Sequence, residues 1–157
     1  MGFLDALKSV ANMVTGGAAT VGLELGTRNP DGSIPARITA EVAGADLKIE
    51  KVYLKVEGHE TVTVRIKKEN LNQGTNPMNH QEHDETFSAS TYTQDINVAA
   101  AQTLKAKEKY SWDTIIQIPK DAQPTYAGRL AKHEWRAYAG LDATGTDPAS
   151  SWISFVI

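Results

Sequence analysis

The chain has 157 residues, a length that suits one domain with a sizeable hydrophobic core. Its formal net charge is −3, so it offers no basic stripe for the phosphates of nucleic acid. It contains no cysteine, which excludes a disulfide framework, a thiol nucleophile and cysteine-based zinc or iron–sulfur sites. This composition is compatible with a reducing cytoplasm, where we expect the protein to reside.

The N-terminus predicts a short helix over residues 3–15. Phe3, Leu4 and Leu7 recur at helical spacing on one apolar face, and a pair of glycines follows the segment. Two interpretations stay open: the helix packs on the body of the domain, or it docks onto a partner. In the second case Phe3, Leu4 and Leu7 are candidate partner-binding residues. The segment lacks the basic start of a secretory signal, and no stretch is long and apolar enough to be an integral membrane segment.

From residue 20 to residue 157 the hydrophobic period is two, which predicts β-strands with one buried and one solvated face. The pattern is present in residues 36–42, 52–66 and 110–118, and it is clearest in residues 131–142. Turn signals rich in Gly, Pro and Asp separate these runs. Seven or more such strands, without intervening helices, favour a sandwich or barrel over a parallel α/β sheet.

Residues 67–85 interrupt the alternation with a polar stretch that lacks periodicity. A connection of this length is uncommon in a compact domain. We expect a long polar loop here, and whether it is functional or merely mobile stays open. The expected organisation is therefore one domain over residues 1–157, with a helix at 3–15, a β-sandwich at 20–157 and this loop within it.

Several segments then resemble the arrestin N-terminal domain, and more closely the bacterial sporulation-control family of arrestin-like proteins. They are residues 116–119 (IQIP), 124–130 (PTYAGRL) and 133–142 (HEWRAYAGLD), preceded by the early strand 21–25 and the strand 49–56. The resemblance implies an antiparallel immunoglobulin-like, arrestin-like β-sandwich with a short N-terminal helix and a scaffold or adaptor role. Typical members carry two sandwiches in tandem, whereas this sequence contains one, and the family supplies no catalytic residues.

One group of residues is a weak candidate for a metal site. His80, Glu82 and His83 are types that ligate divalent ions, but their spacing matches no defined metalloenzyme motif. A solvated polar loop is the simpler interpretation. His133 shares the inward parity of Trp135, where a core or strand-edge histidine with a hydrogen-bond partner is expected rather than a catalytic base. With no nucleophile elbow and no phosphate-binding loop, we expect neither an enzyme nor a cofactor.

The sequence thus predicts a binding module for a protein partner, acting as a scaffold, adaptor or regulatory protein. An extended peptide at a sheet edge is one expected mode, with residues 20–26 and 152–157 as the expected edges. Because the last segment is apolar on both parities, Trp152 and Phe155 are candidate partner-binding residues, and self-association through it is expected. The alternative is a structural or assembly subunit of a larger particle.

Overall fold

The structure is a computed structural model that describes residues 14–68 and 81–157. Every regular element in these ranges is a β-strand. The strands are β1 (Val14–Gly16), β2 (Ala19–Leu25), β3 (Ser33–Val42), β4 (Leu47–Lys68), β5 (Gln81–Leu104), β6 (Lys109–Gln117), β7 (Tyr126–Ala127), β8 (Ala131–Ala143) and β9 (Ile153–Phe155).

The strands form two antiparallel sheets. One has the order β1-β2-β3-β6, and the other has the order β5-β4-β8-β7, with β9 pairing β8 beside β7. Contacts link β2 with β8 and β5 with β6, so the sheets face each other across one core. The predicted antiparallel β-sandwich is confirmed.

The core follows directly from the period-two pattern. In β3 the buried residues Ile34, Ala36 and Ile38 alternate with more exposed ones, and Val52, Leu54 and Val56 do the same in β4. In β8, Trp135 is 1% exposed, as its inward parity predicted. Full burial of a side chain such as Leu54 stabilises the fold by about 1.5–3 kcal/mol.

Strands β4 and β5 are longer than the rest of the sandwich. Strand β8 follows β4 only as far as the pair Val62–Ala131, so β4 and β5 continue beyond it as a two-stranded ribbon. Pairs of opposite charge lie across this ribbon: Arg65 with Asp84 at 3.1 Å and Lys67 with Glu82 at 3.4 Å.

The ribbon corrects the prediction of a loop over residues 67–85. Residues 67–68 belong to β4 and residues 81–85 belong to β5, while residues 69–80 lie outside the described residues. The prediction failed because it took apolar alternation as the mark of a strand. The ribbon is exposed. Its two strands are held together by backbone hydrogen bonds and cross-strand charge pairs instead of by burial of apolar side chains.

The predicted N-terminal helix over residues 3–15 also needs correction at its end. Val14 and Thr15 belong to β1, which pairs with the start of β2. Residues 3–13 lie outside the described residues.

The C-terminal strand is shorter than the expected 152–157, since β9 spans Ile153–Phe155. Within residues 14–68 and 81–157, no helix has the length and apolar character needed to cross a membrane.

Candidate binding edge of strand β5

Strand β5 forms the outer edge of its sheet along its whole length. Its residues pair with β4 on one side, and no other described strand pairs with its free side. Between residues 86 and 103 the only charged residue is Asp95, and the stretch contains neither Pro nor Gly. Natural proteins usually block exposed edges with charge, proline or short strands, because unpaired N–H and C=O groups invite another strand. This edge lacks most of those protections.

Two bulges divide the edge. Thr91 and Val98 are the extra residues of β5 where its register with β4 shifts, next to the pairs Gly58–Tyr92 and Val52–Ala99. A bulge bends its strand and disrupts the ladder locally. The regular part of the edge is therefore residues 92–97, a stretch of about 20 Å at strand spacing.

An apolar seam runs beside this regular stretch, on the inner side of the sandwich. Tyr92 and Ile96 of β5 are half-buried, pack against the core and form this seam. The stacked rings of Tyr110 and Trp112 of β6 lie toward the turn between β5 and β6, where the Tyr110 hydroxyl accepts a hydrogen bond from the Lys105 N–H at 2.8 Å. A strand added to β5 would lay every second side chain along this seam.

A cavity of about 360 Å³ opens where the seam meets the loop after β6. It is lined by Thr91 and Tyr92 of β5, by Trp135 of β8 and by loop residues Pro119, Asp121, Ala122 and Gln123. The rings of Tyr92 and Trp135 lie 5.3 Å apart. The wall thus combines aromatic and apolar surface with polar groups of Thr91, Asp121 and Gln123 in similar measure.

A polar cluster fixes the loop that forms this cavity. Glu60 accepts hydrogen bonds from the Tyr126 hydroxyl at 2.6 Å and from Gln123 Nε2 at 3.0 Å. The Trp135 indole N–H donates to the Gln123 carbonyl at 2.8 Å. The bond from Tyr126, followed by the bond from Gln123, holds the pKa of the Glu60 carboxyl below its usual value. These hydrogen bonds tie the loop to strands β4 and β8.

His133 lies directly opposite Glu60 in the pairing of β8 with β4 and completes the cluster. It is fully buried, and its Nε2 shares a 2.6 Å hydrogen bond with Thr91 Oγ1. Its Nδ1 has no hydrogen-bond partner among the described residues. The prediction of a core histidine with a partner is confirmed, and the partner is the bulge residue of the edge strand.

The two C-terminal candidates lie on opposite faces of the same sheet, Trp152 over outward-facing Arg136 and Phe155 beside inward-facing Trp135. Trp152 is 40% exposed and lies over Arg136, with the guanidinium carbon 4.5 Å from the ring centroid. Arg136 is in turn held by Glu57, at 2.7 Å between Nη2 and Oε2. Phe155 is half-buried, with its ring 6.1 Å from that of Trp135. Both therefore have packing partners within the domain.

The other predicted site residues are not gathered into a site. Phe3, Leu4, Leu7 and His80 lie outside the described residues. Glu82 and His83 are neighbours on strand β5, so their side chains point to opposite faces and do not converge on one ion. Glu82 lies near Lys67, and His83 Nε2 bonds Glu85 at 2.9 Å. In residues 14–68 and 81–157, no three His, Asp or Glu side chains form a group suited to a metal ion.

Sequence reasoning missed Thr91, Tyr92, Asp121 and Gln123. One signal was available, namely the run of residues 86–103 with a single charge and no strand breaker. That run marks a strand that is either central or an unprotected edge. The cavity had no comparable signal, because the loop and β5 meet only through the pairing of distant strands.

Comparison with known proteins supports the fold. No protein-family description matches the sequence, and no curated protein matches it. Among solved structures, the crystal structure of Spo0M, a sporulation control protein from Bacillus subtilis, superposes with a TM-score of 0.58 at 17% sequence identity. The match covers 89% of this chain and 49% of Spo0M, so the chain spans about half the length of that protein. Spo0M has an arrestin-like fold, and the resemblance inferred from the sequence is confirmed at the level of fold.

Proposed function

We propose that this protein is a non-enzymatic binding module, acting as an arrestin-like scaffold, adaptor or regulatory protein, and that it recognises an extended segment of a protein partner by strand addition to β5. The observation that carries the proposal is the free side of β5 over residues 86–103, with Asp95 as its only charge. Strand addition gains affinity from main-chain hydrogen bonds and specificity from pockets for alternate side chains.

The seam beside β5 supplies the contacts for alternate side chains that give specificity. Half-buried Tyr92 and Ile96 on β5 form an apolar strip along the inner side of its regular stretch. A partner segment with apolar residues at every second position would cover this strip with one face. Its other face would continue the solvated outer face of the sheet. The favoured partner is therefore an amphipathic strand.

The likeness to a sporulation control protein supports a regulatory role in general terms, without naming a partner. The basic residues near the opposite end of the sandwich support no charge-driven alternative. Lys105 is paired with Asp46 at 2.9 Å, and Lys109 with Glu41 at 3.5 Å. Because each of these two cations already has a carboxylate neighbour, the pair adds little net attraction for an acidic partner.

A labelled peptide tests the proposal. The probe is a host peptide of about eight alternating Thr and Val residues with capped ends. It is used at concentrations too low for it to aggregate. We expect saturable binding to the wild-type protein in fluorescence anisotropy. Gln94→Lys should weaken that binding about tenfold or more, because it buries an inward-pointing charge beneath the added strand.

Thr39→Lys is the matched control, since it adds the same charge to β3, whose two sides are both paired. Its affinity for the host peptide should equal that of the wild type. Equal binding by the Gln94→Lys variant would contradict the proposal. Concentration-dependent self-assembly that Gln94→Lys abolishes, with no peptide binding, would instead show that the edge joins copies of this chain, as expected for an assembly subunit.

A further inference from the structure

We infer that the cavity beside β5 selects the partner segment: it takes a large aromatic side chain of the added strand, and Asp121 selects a Lys or Arg two positions away from that aromatic residue. This inference rests on the proposed strand addition and adds the sequence pattern that the partner must carry.

The position of the cavity supports the first half of the inference. Its wall includes Thr91 and Tyr92, which belong to the edge strand itself. An added strand runs about 4.8 Å from β5, and its inward side chains are about 6.8 Å apart. The inward side chain nearest Tyr92 therefore projects to the side of the sheet on which Trp135 and the cavity lie.

The size and chemistry of the cavity favour an aromatic residue. At about 360 Å³ it is larger than an aliphatic side chain fills. The buried ring of Trp135 and the ring of Tyr92 form its aromatic wall, and Pro119 and Ala122 contribute apolar surface. Aromatic rings gain from edge-to-face and offset packing beyond the area that they bury. Aromatic anchors in pockets are also the residues that dominate the affinity of protein interfaces.

The charge at the rim supports the second half. Asp121 is exposed, and it forms no ion pair with any other described residue. Its neighbour Lys120 does not line the cavity. Asp121 belongs to the loop after β6, at the end of the sandwich where Thr91 lies, whereas Ile96 lies further along the seam. A cation is thus favoured on the Thr91 side of the aromatic residue, and an apolar residue on the Ile96 side.

The direction of the added strand fixes the order of this pattern. An antiparallel partner passes Ile96 before Tyr92, so its order is aromatic-x-basic from the N-terminus. A parallel partner has the order basic-x-aromatic. The cavity is formed before binding, because Gln123 is held by Trp135 and Glu60. Preformed sites lose less conformational entropy on binding, which favours selectivity.

Variants of the host peptide test the pattern. One replaces a central Val with Trp, a second adds Lys two positions after the Trp, a third adds Lys two positions before it, and a fourth carries Glu in place of the better-placed Lys. We expect the Trp to raise affinity for the wild-type protein about 10- to 30-fold. Lys at one of the two positions should add about two- to fivefold, as for an exposed ion pair.

Two protein variants assign these gains to the cavity. Ala122→Phe fills it and should remove most of the gain from Trp while leaving affinity for the host peptide unchanged. Asp121→Lys should reverse the preference, so that the Glu peptide binds better than the Lys peptide. Thermal melts and circular dichroism establish that both variants fold, and Thr39→Lys again serves as the charge control.

The outcomes separate this inference from the proposal beneath it. If the Trp and host peptides bind equally, and Gln94→Lys weakens both, strand addition stands and the cavity inference is wrong. It is also wrong if Trp strengthens binding equally to Ala122→Phe and wild type, because the ring then lies elsewhere. If Gln94→Lys weakens neither peptide, the proposed function itself fails.

Discussion

Thr91 Oγ1 and His133 Nε2 share a 2.6 Å hydrogen bond that passes over the backbone of Gly58. A Cβ atom at Gly58 would lie 2.8 Å from Thr91 Oγ1 and 3.3 Å from His133 Nε2, so glycine is what allows the two side chains to meet. Thr91 is the bulge residue of β5, and His133 is a buried residue of β8. The bond therefore ties the edge strand β5 to the centre of its sheet.

The first prediction concerns this bond. Thr91→Val keeps the shape of the side chain and removes its oxygen, which leaves the buried Nε2 of His133 without a partner. We expect the free energy of unfolding to fall by about 1–3 kcal/mol, as for a buried polar group that loses its hydrogen bond. Thr93→Val, two residues along the same strand at an exposed position, should change stability by less than about 0.5 kcal/mol. Chemical denaturation measures both, and equal effects would contradict the role of the bond.

The second prediction is that the charged carboxylate of Glu60 contributes to the pH dependence of the free energy of unfolding. Its pKa in the folded protein is held below the usual value by the Tyr126 and Gln123 donors. A carboxyl with a lowered folded pKa stabilises the protein above its unfolded pKa of about 4.3, and that contribution is lost as pH falls through the folded pKa. Glu60→Gln keeps an acceptor oxygen but has no charge to lose.

Unfolding free energies of wild type and Glu60→Gln, measured from about pH 7 to about pH 3, test this prediction. The wild type should be the more stable at neutral pH, and the difference should shrink as the pH falls below the unfolded pKa. Other carboxyls are common to both proteins, so they cancel in the difference. A gap that stays constant with pH would show that the charge of Glu60 plays no part.

A third prediction concerns the outer face, where the ring of Tyr53 lies across Gly140. A Cβ at Gly140 would collide with that ring, whose hydroxyl donates to Asp147 at 3.3 Å. Gly140→Ala should therefore destabilise the wild type by about 1–3 kcal/mol through overpacking. In a Tyr53→Ala background the same change should be neutral or stabilising by up to about 1 kcal/mol, because Gly is costly within a strand. Denaturation of the four proteins gives the coupling, and an equal cost in both backgrounds would refute it.

The fourth prediction separates packing from binding at Trp152. The ring packs on Tyr138, with centroids 4.5 Å apart, and on the Arg136 guanidinium. Trp152→Ala should cost about 1–2 kcal/mol of stability through these two contacts. Affinity for the host peptide should stay within about twofold of wild type, because Tyr138 and Arg136 project from the face opposite Trp135. A large loss of affinity would instead support Trp152 as a partner-binding residue.

Much of the sandwich was predictable from the sequence because its cause is local. The inward parity of Trp135 and the buried rows of β3 and β4 follow from alternation alone. The polar ends of β4 and β5 were not predictable in this way, since their pairing depends on partners such as Arg65 and Asp84 across the ribbon. The edge predicted at residues 20–26 was likewise wrong in part, because the start of β2 is paired with β1.

The candidate site was the least predictable part. Thr91, Gln123 and His133 are brought together by a bulge, a loop and a strand that are far apart in the sequence. Composition can mark residues 86–103 as a strand with a single charge, but only the order of strands in the sheet makes that strand an edge. The place of Asp121 in the candidate site was not predictable either, because it depends on the cavity that this residue helps to line.

The most direct test of the open edge is residue-resolved hydrogen exchange of the β5 amides, followed by NMR with and without the host peptide. In the free protein, every second amide within residues 92–97 should exchange rapidly, because its N–H points away from β4. Saturation with the host peptide should slow those amides about tenfold or more, while amides of β4 stay unchanged. If all of these amides are already protected in the free protein, or if the peptide leaves their exchange unchanged, β5 is not an open binding edge.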